Sequence, residues 1–85
     1  MASNGMSAKA AKVVRKALED QNRTQEWLAA ATGIPMRTLA RRLHKTNPSD
    51  MSLEELDVIA SALGTDVVSL LVAARKPQSQ ARAAA

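Results

Sequence analysis

An 85-residue chain of 9.1 kDa has room for one small domain, and with seventeen alanines and a single aromatic, Trp27, its core must be assembled from few aliphatic side chains. The absence of cysteine and the single histidine, His44, exclude disulfide frameworks, thiolate metal sites, cysteine nucleophiles and imidazole clusters, so no enzyme, cofactor or metal site is expected. A net charge of +4 and a pI near 10.1 exclude a strongly acidic protein and favour an anionic partner.

The apolar residues recur at spacings of three and four, and no alternating run of β-branched or aromatic residues suggests a strand, which predicts an all-α fold. Ser7 is the expected N-cap of a first helix running to about Asp20, with Ala10, Val14, Ala17 and Leu18 on one face and Lys9, Lys12, Arg15 and Lys16 on the others. After a turn at Asn22-Arg23, Thr24 caps a short second helix, Gln25 to about Thr32, that turns Trp27, Leu28 and Ala31 inward and stops at Gly33. Pro35 suits the first position of a third helix extending to about Lys45, with Leu39 and Leu43 on one face and Arg37, Arg41 and Lys45 on another.

Asn47-Pro48 signals a turn, and Ser52-Leu53-Glu54-Glu55 is a capping box that opens a fourth helix ended by Gly64, with Leu53, Leu56, Ile59, Ala60 and Leu63 as its inward stripe. Asp66 caps a fifth helix whose inward residues are Val67, Leu70, Leu71 and Ala74; Val68 and Val72 form a second apolar strip, open to a dimer surface or a widened core. Pro77 ends regular structure. The expected organisation is a flexible arm over 1–6, one domain over 7–76 and a flexible tail over 77–85. No run approaches the roughly 20 apolar residues of a bilayer span, and the opening MASNGMSAKAAK lacks a signal-peptide core. The expected location is therefore the cytoplasm.

The charge is unevenly distributed. Residues 1–45 carry nine basic side chains against Glu19, Asp20 and Glu26, a net +6, whereas residues 46–85 net −2. From Arg37 to Lys45 every charged residue is basic, and from Asp50 to Asp66 every one is acidic. A polyanion-binding half on an acidic support is the reading, and nucleic acid is the leading partner.

Two short helices joined by a glycine turn, the second with a basic face, have the form of a helix-turn-helix, in which the second helix enters the major groove. The stretch TQEWLAAATGIPMRTLARRL resembles the phage-repressor helix-turn-helix family, the Cro/CI or XRE-like type with a lambda-repressor-like domain. Its pattern is met by Gln25, Leu28, Ala29, Gly33, Ile34, Thr38 and Leu39, and a downstream element by Leu56, Ile59, Ala60, Ala62, Leu63 and Gly64; the resemblance spans about Val13 to Leu71, with the helix-turn-helix at about 24–44. It implies a five-helix domain in which Met36, Arg37 and Arg41 face base edges and Gln25 and Thr38 reach the DNA backbone. Arg42, His44, Lys45, Thr46 and Asn47 fall where further phosphate contacts occur.

The chain departs from the family in placing His44-Lys45 where many relatives have glycine. Arg42 stands at a position that is often apolar, so Leu43 is the expected second core anchor. Met36 lies near Leu39 and Leu43 on a helical wheel, which leaves it open to a boundary role as well as a base contact. The resemblance implies a sequence-specific regulator of transcription on double-stranded DNA, a small phage-type repressor on a palindromic operator, with a homodimer possible and no membrane or small-molecule partner. The alternative is a protein-interaction module, such as an antitoxin or a phage accessory factor.

Overall fold

The computed structural model describes residues 5–75, and among them are five helices and no strand. They are α1 (Met6–Asp20), α2 (Gln25–Thr32), α3 (Met36–Arg42), α4 (Leu53–Ala62) and α5 (Val67–Arg75). Of the expected arm over 1–6, residues 1–4 lie outside the described residues, as does the tail over 77–85, whereas Gly5 and Met6 are the N-cap and first residue of α1. No single helix among those described is long and apolar enough to cross a membrane.

α1 packs chiefly on α5, α2 contacts both α3 and α4, and α4 contacts α5. One core joins them. Val14, Leu28, Leu39, Leu43 and Ile59 are its largest fully buried side chains, drawn from α1, α2, α3 with its C-cap, and α4. Burying each such aliphatic group contributes roughly 1.5–3 kcal/mol, which is how a chain with one aromatic holds together. Trp27 is only partly buried; the Arg23 guanidinium covers its ring, 4.0 Å from the centroid.

Most of the expected helix punctuation is present. The Thr24 side chain accepts from Trp27 N, Ser52 and Glu55 form the reciprocal box, and Asp66 Oδ1 accepts from Ser69 N at 2.7 Å. The structure corrects several details. α1 begins two residues earlier, at Met6 with Gly5 as N-cap, and the Ser7 hydroxyl instead accepts from Met51 N at 3.1 Å, tying the start of α1 to the loop before α4. Pro35 is the N-cap of α3 and not its first residue, and α3 ends at Arg42 where Lys45 was expected. Ala31 faces solvent, and Leu53, at the first position of α4, is 72% exposed.

The α2–α3 turn is built by three residues. Gly33 adopts φ +82°, its N–H donates to Ala29 O at 2.8 Å, and the Thr32 hydroxyl donates to Leu28 O while accepting from Ile34 N. These bonds, with the burial of Ile34, fix the angle at which the chain enters α3. A Cβ at Gly33 would meet nothing within 4 Å, so a side chain there is opposed by backbone conformation alone. Gly33→Ala is expected to cost about 1–2 kcal/mol. Thermal unfolding would then show a lower Tm by about 4–8 °C per kcal/mol, with a smaller loss for Gly33→Asn.

Candidate nucleic-acid interface

The seven residues of α3 divide cleanly by angle. With about 100° per residue, Arg37 and Arg41 project about 160° around the helix from Leu39, opposite the buried seam, whereas Arg42 lies only about 60° from it. The structure follows this geometry: Leu39 and Leu43 are buried, Arg37 and Arg41 are exposed, and Arg42 is half-buried. Among the described residues neither Arg37 nor Arg41 forms an ion pair or a side-chain hydrogen bond. Two guanidinium groups therefore stand one helical turn apart on the outer face of α3.

Arg42 differs from the expectation that grouped it with the phosphate contacts. Its Nε and Nη2 donate to the two carboxylate oxygens of Glu55, at 2.9 and 3.2 Å, and Nη1 donates to Ser49 Oγ at 2.8 Å. All three guanidinium nitrogens are thus used inside the protein, clamping the end of α3 to the start of α4. The signal was present in the sequence as the 60° offset from Leu39, together with a glutamate that a capping box would hold in place. Glu55 Oε1 also accepts from Ser52 N at 2.9 Å, so the same carboxylate serves the box and the clamp. The Arg42 guanidinium, followed by the Ser52 amide, holds the Glu55 carboxyl below its ordinary pKa, with burial opposing them.

The carbonyls at the end of α3 find partners from outside the helix. Ser49 N donates to Arg41 O at 3.0 Å, and Arg15 Nη1 of α1 donates to Leu43 O at 3.1 Å and His44 O at 3.3 Å. A cation at this end also complements the helix dipole. The loop that follows is organised by His44, whose Nδ1 accepts from Thr46 N at 3.3 Å and Asn47 N at 3.0 Å. His44, Lys45, Thr46 and Asn47 are all exposed, so a short polar loop with one cation continues directly from the basic face of α3.

The other expected site residues are placed as follows. Gln25 is half-buried at the first position of α2, and Thr38 is half-buried on α3. Met36 is 39% exposed at the first position of α3. Val68 and Val72 are 67% and 51% exposed on α5, a helix that packs on α1 and α4. Sequence reasoning did not find the organising roles of Arg15, Thr32 and Ser49, because each acts through a bond whose partner is set by packing.

The pH dependence of the clamp follows from the lowered Glu55 pKa. A carboxylate whose pKa falls on folding contributes fully above its unfolded value, and that contribution fades as the pH drops through the folded one. Glu55→Gln keeps a residue able to complete the capping box but removes the charge on which Arg42 rests. It is expected to destabilise the protein by about 1–2 kcal/mol at neutral pH. In parallel thermal scans of the two proteins the difference should shrink below about pH 4.3; a difference that persists there would assign the effect to packing. The Asp66 carboxyl, also held low by the Ser69 amide, is common to both proteins and cancels in the comparison.

Comparison with known proteins agrees with this geometry. A family model described as a Cro/C1-type HTH DNA-binding domain matches residues 13–74, a span that takes in the second half of α1, all of α2, α3 and α4, and α5 up to Ala74. Neither the curated proteins nor the solved structures gave a significant match. With the family matched over most of the chain and all five helices in its fold, this protein belongs to the Cro/C1-type helix-turn-helix DNA-binding family.

Proposed function

We propose that the protein is a sequence-specific regulator of transcription, a small phage-type repressor that occludes a promoter by laying α3 in the major groove of its operator. The observation that carries this reading is the pair Arg37 and Arg41, exposed and without internal partners among the described residues, on a helix whose third arginine is fully engaged. A guanidinium left to solvent on the outer face of such a helix is matched to guanine O6 and N7, and each bidentate contact is worth about 1–3 kcal/mol of discrimination. Met36 offers apolar contact to a thymine methyl from the same edge.

Gln25, Thr38, His44, Lys45, Thr46 and Asn47 take the backbone contacts, which fix register without reading sequence. Arg42 acts through Glu55 and Ser49 to position α3, not through phosphate. Binding rather than chemistry is the mechanism, and regulation follows from occupancy of the site.

A two-fold dimer through Val68 and Val72 would set two copies of α3 about one DNA turn, roughly 34 Å, apart and would favour a palindromic operator. The exposure of both valines on α5 supports this arrangement. Val68→Asp should then lower both the sedimentation mass and the affinity for a two-half-site duplex; no change in either contradicts the dimer.

Selection from a random-duplex library tests the reading as a whole. An enriched motif is expected, and Arg37→Ala or Arg41→Ala should each relax preference at one base position by about 1–3 kcal/mol. Binding without an enriched motif would reduce the interface to phosphate contact alone.

A further inference from the structure

A cleft of about 380 Å³ lies between α1 and the loop after α3, lined by Lys12, Arg15, Lys16, Glu19 and Lys45. Four cations face one anion there. The cleft exists because Arg15 reaches across to Leu43 O and His44 O, which draws the middle of α1 against the loop and brings Lys12 and Lys16 beside Lys45. Arg15 is thereby committed to carbonyls. Lys12 forms no ion pair among the described residues, and Lys16 holds Asp20 at 3.1 Å in a pair whose side chains are 70% and 60% exposed. Surface pairs of this kind bind weakly and exchange partners, so an incoming anion can replace Asp20.

Lys45 belongs at once to this cleft and to the polar loop that continues the basic face of α3. A polyanion lying along α3 and the loop therefore has, at Lys45, a continuous path of positive charge onto α1. Nothing in the packing of α1 on α5 requires lysine at positions 12 and 16, where both side chains are exposed. A chain of regularly spaced phosphates fits such a row of flexible ammonium groups better than a single small anion, which would be held by Arg15-like forks in a closed pocket.

We propose that Lys12 and Lys16, with Lys45, form a second backbone-binding channel that holds the phosphodiester chain of the same duplex beyond the segment facing α3, extending the footprint without adding sequence preference. The proposal rests on the reading of α3 as the groove-facing helix. Each neutralised phosphate steepens the fall of log affinity with log salt by about 0.9. The double variant Lys12→Ala/Lys16→Ala should thus have a salt slope shallower by about 2, so that its deficit against the parent narrows by roughly tenfold between about 50 and 200 mM salt.

The measurement is a salt titration of affinity for parent and variant on three duplexes: the selected site with about 10 flanking base pairs on each side, the same site trimmed of its flanks, and a random sequence of the longer length. Expected are the slope difference on both long duplexes, none on the trimmed one, and an unchanged enriched motif. Equal slopes on every duplex would overturn the proposal, as would a difference that survives trimming, since the contact would then lie within the segment already covered. Failure of the groove-facing reading shows itself separately, as loss of the distinction between selected and random sequence in the parent. Both lysines are exposed and alanine is favourable within a helix, so the variant is expected to fold, and an unchanged Tm verifies it.

Discussion

Glu55 accepts the Ser52 amide and the Arg42 guanidinium with one carboxylate, and the placement of α3 depends on that sharing. The capping box fixes the carboxylate relative to α4; the bidentate pair then fixes the end of α3 relative to the carboxylate. Ser49 closes the arrangement, since its hydroxyl accepts from Arg42 while its amide donates to Arg41 O. A helix of seven residues has too few internal hydrogen bonds to hold a fixed orientation by itself. Here it is pinned at its start by the Gly33 turn, along its length by Leu39 and Leu43, and at its end by this network.

That rigidity has an electrostatic consequence. Pairing Arg42 with Glu55 neutralises one acidic group of α4, while Glu54 and Asp57 on the same helix are exposed. The opposed blocks of charge in the sequence are thus folded into a cationic surface on α3, its loop and α1, supported by an acidic helix whose nearest carboxylate is already paired. A polyanion approaching α3 meets Arg37 and Arg41, both unpaired among the described residues, and then Lys45, whose cleft holds three further cations against Glu19, which favours association at low salt.

Much of this was legible in the sequence. Thr24, Gly33, Ser52 with Glu55, and Asp66 marked helix ends by local chemistry, and local chemistry is what a sequence displays. The spacing of Leu39, Leu43, Arg37 and Arg41 separated a buried from an exposed face of α3 for the same reason. The errors fall where a residue's partner is distant. Ser7 has the composition of an N-cap but is recruited by Met51, and Arg42 reads as one more cation in a basic run until its angle to Leu39 and the fixed position of Glu55 are considered together. Leu53 continues an apolar periodicity, yet it lies at the first position of α4, past the edge of the core, where no neighbouring helix covers it. The basic run suggests a helix to Lys45, but the structure stops at Arg42 because partners distant in sequence take the carbonyls at its end: Ser49 N bonds Arg41 O, and Arg15 bonds Leu43 O and His44 O.

Under the proposed function, three arginines on one short helix divide their roles: Arg42 holds the helix through Glu55 and Ser49, and Arg37 and Arg41 face the DNA. The most direct measurement follows the Nε–H signals of these side chains by NMR during titration with a selected duplex. The expectation is that the Arg37 and Arg41 signals shift and sharpen into a new bound state while Arg42 keeps its free-state position. An Arg42 signal that moves as far as the others, or Arg37 and Arg41 signals that stay where they are, would contradict it.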